Sequence, residues 1–112
     1  MATREGWRTD EADALLGAIL QMETLDEAAL FMRDLCTLGE LRNMAQRWAV
    51  VRLLEAGMHY GQIADETGAS TATITRIASW LRHGDGGYRL ILDRLANASV
   101  GVPVPYPVGR ER

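Results

Sequence analysis

The chain contains no lysine, one cysteine and one phenylalanine among its 112 residues, and its three prolines all lie beyond residue 100. Without lysine, every permanent side-chain cation is an arginine, whose planar fork suits bidentate pairing with phosphate or guanine. A lone cysteine excludes an internal disulfide, and the apolar neighbours of Cys36 mark it as a small core residue rather than a reactive thiol. No apolar run approaches the roughly 18 residues that a membrane span requires. Met1 to Asp13 is polar and carries four acids, which argues against a secretory leader. A cytoplasmic protein that leaves membranes alone is therefore expected.

Enzymatic constellations are equally scarce. No Ser-His-Asp, Cys-His or paired-carboxylate set can be assembled, and no glycine-rich phosphate loop follows a strand. His59 and His83 have no cysteine or carboxylate at ligand spacing, so neither a metal nor a cofactor is expected.

An apolar share of 47% is ample for a core. The net charge of −3 conceals a division along the chain. Residues 1–40 hold three arginines against nine acids, whereas residues 41–95 hold seven arginines against five acids. The second half is thus the half suited to a polyanion, although its modest excess predicts modest non-specific affinity unless two copies act together.

Capping signals divide the first half into helices. Thr9 precedes an acidic first turn of Asp10, Glu11 and Asp13, followed by a face of Leu15, Leu16, Ile19 and Leu20. Thr24 with Glu27, and Thr37 with Glu40, have capping-box spacing, so helices should begin near Leu25 and Leu38. The third helix carries Leu41, Met44, Ala45, Trp48, Val50, Val51 and Leu54 on a wide apolar face, and Gly57 is placed to end it. After a glycine-rich turn at residues 84–87, Tyr88, Ile91, Leu92 and Leu95 make a last short helix. The expected fold is all-α with about six helices, one domain over residues 1–99 and a flexible proline-containing tail over 100–112.

The stretch from Tyr60 to Leu81, YGQIADETGASTATITRIASWL, has the pattern of a helix-turn-helix. Ala64 is small enough for two helices to cross closely, and Gly68 can leave the first helix with positive φ. Ser70 can cap the second helix, on which Ile74 and Ile77 repeat at i, i+3. The opposite face presents Ser70, Thr71, Ala72, Thr75, Arg76 and Ser79. Hydroxyls there can reach phosphates or base edges, methyls can meet thymine, and Arg76 can bind guanine or phosphate. Gln62 is placed for a phosphate contact. Arg52 is expected to pair with acids, while Trp7, Trp48 and Trp80 are expected as core or interface anchors. The first three helices carry more apolar surface than one small helix-turn-helix can cover. A second copy is the simplest cover, and would set two recognition helices about 34 Å apart in successive major grooves.

From Phe31 to Leu95 the chain resembles the tryptophan repressor family, and more closely its repressor-like YerC/YecD subgroup. DLCTLGELRNMAQRW, the helix ending at Gly57, GASTATITR from Gly68, and GDGGY from Gly84 carry the likeness. The resemblance implies an intertwined all-helical homodimer that binds operator DNA. In the amino-acid-regulated repressors tryptophan lies between two arginines and meets threonines, a glycine and a serine. The arginines match Arg47 and Arg76, and the threonines match Thr37 and Thr73. Ile77 replaces the glycine and Trp80 the serine. An aliphatic residue at position 77 closes from within the space an indole would fill, so tryptophan is not expected as corepressor, although a smaller effector could still bind the two arginines. The function implied is a dimeric, sequence-specific transcription regulator, a repressor by analogy. The alternative is a helical protein–protein interaction module that has lost DNA binding.

Overall fold

A computed structural model describes residues 6–98, so the expected tail over 100–112 lies outside the described residues. Six α-helices and no strand occur among the described residues: α1 Asp10–Ile19, α2 Leu25–Leu35, α3 Leu38–Glu55, α4 Tyr60–Thr67, α5 Thr71–His83 and α6 Gly87–Asn97. The all-α expectation holds. The chain forms two compact units that divide between Leu41 and Arg42, within α3.

In the first unit the caps act as their spacing predicts. The Thr9 side chain accepts the Ala12 N–H and the Thr24 side chain accepts the Glu27 N–H. Thr37 and Glu40 form a complete capping box: the Glu40 N–H donates to Thr37 Oγ1 at 3.1 Å, and the Thr37 N–H donates to Glu40 Oε1 at 2.8 Å. Neither α1 nor α2 has a buried residue. Leu20 and Leu30 are 80% and 70% exposed, an unusual condition for amphipathic helices.

The second unit has a true core of Val50, Val51, Leu53, Ile63, Ala69, Ile74, Ile77 and Leu92, flanked by Trp48, Leu54, Met58, Ala64, Leu81 and Tyr88. The face of α3 differs from the sequence expectation. Leu53 is buried, Trp48 and Leu54 are half-buried, and Met44 and Ala45 are exposed. Apolar residues lie nearly all the way round α3, so periodicity could not choose a face, and packing by α4 to α6 chose it. Trp7 and Trp80 are exposed. Trp48 has an aromatic neighbour, Tyr88, at 6.1 Å between ring centroids.

Turns fix the geometry of α4 and α5. At the end of α3 the Gly57 N–H donates to the Leu54 carbonyl and the Met58 N–H to the Leu53 carbonyl, the paired bonds of a Schellman ending. Gly68 has φ +78°, and its N–H closes α4 onto the Ala64 carbonyl at 2.8 Å. The turn is further tied by Gln46 Nε2, which donates to the Thr67 carbonyl at 3.0 Å. Thr67 Oγ1 donates to the Ile63 carbonyl and accepts the Ala69 N–H. Arg89 on α6 pairs in bidentate fashion with Glu55 at the end of α3, and that carboxylate's hydrogen bonds hold the guanidinium pKa above its usual value.

Candidate nucleic-acid interface

The motif turn aims one face of α5 inward and the other outward. Ile74 and Ile77 are 0% and 1% exposed, and with Ile63 and Val51 they seat α5 on α3 and α4. The other side of the same turns leaves Ser70, Thr71, Ala72, Thr75, Arg76 and Ser79 exposed. All six expected α5 residues therefore share one accessible surface, contiguous at helical spacing. Gln62 is also exposed, in the first turn of α4. His59, the N-cap of α4, makes no side-chain capping bond, so the amides of that first turn have no capping side chain as acceptor.

Side-chain hydrogen bonds organise the start of α5. Ser70 Oγ accepts the Thr73 N–H at 3.1 Å, as its capping position predicts, and donates to Thr73 Oγ1 at 3.0 Å. Arg76 Nη2 donates to the same Thr73 oxygen at 3.3 Å. Thr75 Oγ1 donates back to the Thr71 carbonyl at 2.9 Å.

Behind this face lies a cleft of about 280 Å³ lined by Asn43, Gln46, Arg47, Thr73, Arg76, Ile77 and Trp80. Five of the six residues expected of an effector pocket, Arg47, Thr73, Arg76, Ile77 and Trp80, meet there. The sixth, Thr37, belongs to the first unit, where its hydroxyl and amide are engaged with Glu40. Asn43 and Gln46 were missed by sequence reasoning, although Asn43 stands four residues before Arg47 and so shares its helix face. Ile77 belongs to the core as well as to the cleft wall, so its side chain occupies the space a glycine would leave. A larger apolar cleft of about 740 Å³ runs from Trp48 and Trp80 past the glycine turn to Tyr88 and Ile91. Trp80 is common to both.

Among the described residues no three His, Cys, Asp or Glu side chains group as a metal site would need. Among the described residues no helix is long and apolar enough to cross a membrane.

The chain matches the family model described as Trp repressor protein over residues 10–96. It is 44% identical over 88 residues to the uncharacterised protein YerC of Bacillus subtilis, covering 79% of this chain and 85% of the relative. Its fold is similar to that of a TrpR-like protein from Eubacterium eligens, with a TM-score of 0.79 and 37% identity over 87% of this chain and all of that one. It is similar to the same degree to a candidate Trp repressor from Staphylococcus aureus, with a TM-score of 0.78 and 37% identity over 89% of this chain and all of the other.

Proposed function

The chain belongs to the Trp repressor family of DNA-binding regulators, and on that premise we propose that it is a sequence-specific repressor of transcription that acts as a homodimer and works without tryptophan. The observation that carries the DNA-binding reading is the exposed surface of α5, from Ser70 to Ser79, held out by a closed turn and a buried Ile74–Ile77 seam. Thr71, Ala72 and Thr75 face base edges, Arg76 and Ser79 reach base or phosphate, and Gln62 with the first turn of α4 meets the backbone. Such a protein works in the cytoplasm, where its DNA is.

Homodimerisation rests on α1 and α2, which present apolar faces with no buried residue. A second copy supplies cover and makes residues 1–99 one cooperative domain. It also doubles the contribution of a half chain with only a small arginine excess. Independence from tryptophan rests on Ile77, a 1% exposed core side chain that stands where the tryptophan-binding repressors carry glycine.

Genomic-fragment selection with purified protein, without tryptophan and at low and physiological salt, tests this reading. Recovery of a palindrome with half-sites about one helical turn apart is expected. Affinity that rises steeply on adding L-tryptophan would overturn the corepressor claim. Recovery of no DNA at either salt would favour the rival role, a helical module that binds a protein partner.

A further inference from the structure

Several side-chain hydrogen-bond donors of the proposed recognition helix are engaged within the helix itself. Ser70 Oγ both caps α5 and donates to Thr73. Thr75 uses its proton on the Thr71 carbonyl. Arg76 extends one guanidinium nitrogen to Thr73 Oγ1 and lines the cleft beside α3. Ala72 has no polar side-chain atom, so the exposed set of Thr71, Ala72 and Thr75, in which Thr75 stands three residues after Ala72 and four after Thr71 and so neighbours both, holds three methyl groups and only one uncommitted hydroxyl, that of Thr71. Only one base carries an apolar group at its major-groove edge, thymine with its C5-methyl.

We infer that α5 reads its operator half-site chiefly through thymine methyl groups, packed against the methyls of Thr71, Ala72 and Thr75. The inference rests on the proposed DNA-binding role of α5 and specifies the chemistry of its target. A direct arginine–guanine pair is secondary, because Arg76 is turned toward Thr73 and there is no lysine to substitute. The bond from Thr75 to the Thr71 carbonyl fixes χ1 of Thr75, so its methyl is held in one orientation rather than rotating among three.

The test takes the operator recovered by selection and replaces each thymine of a half-site singly by uracil, which removes the methyl and leaves base pairing intact. Fluorescence anisotropy should find affinity falling about fourfold at each contacted thymine, the effect of one buried carbon. Thr75→Ser keeps the hydroxyl and its backbone bond but removes the methyl. This variant should bind the thymine operator about fourfold more weakly, yet lose nothing further on the operator carrying uracil at the partner position, since the two changes remove one shared contact. Uracil operators that bind as tightly as thymine operators would overturn the inference while leaving DNA binding itself intact. Equal losses for Thr75→Ser on all operators would overturn it too. Failure of selection to yield any operator would remove the DNA-binding role and this inference with it.

Discussion

Ile77 is where the physics of single residues bears most directly on regulation. Its side chain is almost wholly buried among Val50, Val51, Ile63 and Ile74, so truncation leaves a cavity that the neighbouring helices can only partly close. Ile77→Ala should lower stability by about 2–5 kcal/mol in urea denaturation; a loss well under that range would mean that position 77 is loosely packed and an indole could be admitted. Gly84 is constrained differently. A Cβ there would stand 2.5 Å from the Trp80 carbonyl oxygen, a backbone atom that cannot swing aside. Gly84→Ala should therefore cost about 1–3 kcal/mol, read as a lowered midpoint of thermal unfolding. The ion pair of Arg89 with Glu55 is half exposed and solvent-screened, and its loss should matter far less.

For whole helices, ends were easier to read than faces. Thr9, Thr24, Thr37 and Ser70 each carry a short hydroxyl that satisfies an otherwise orphaned amide, and all four mark their helix starts in the sequence as they do in the structure. Such signals are local and need only a few residues to be legible. The inward face of α3 is decided by three other helices, which is why Leu53 was missed and Met44 was expected inside. The same limit hid Asn43 and Gln46. Gln46 reaches across 21 positions to the Thr67 carbonyl, a bond that no spacing rule foretells. The exposed face of α5 was legible because one helix carries all of it, whereas Thr37, carried over by resemblance, belongs to the other unit. Ser70→Ala should destabilise the protein by about 1 kcal/mol, followed by thermal melting in far-ultraviolet circular dichroism. It should also loosen the start of α5 and weaken operator binding; a variant with unchanged melting would show that the cap contributes little.

On the scale of the molecule, acids crowd the first forty residues while arginines dominate the next fifty-five. DNA affinity should therefore fall steeply with salt, with a log–log slope near −5 if the dimer neutralises about five or six phosphates. A slope near zero would point instead to an apolar protein partner. Leu30→Asp places a charge on an apolar face that the chain leaves 70% exposed. In sedimentation equilibrium this variant should shift the protein toward monomer, with operator affinity falling in parallel; an unaltered mass would exclude α2 from the interface.

The missing core of α1 and α2 also bears on how long the protein survives in a cell. These helices are synthesised before the rest, and until something covers them little packing opposes their opening, the state in which proteases cut. If a second copy provides that cover, survival depends on meeting it, and the amount of intact regulator rises more steeply than its rate of synthesis. A gene transcribed at a trickle would then yield almost none.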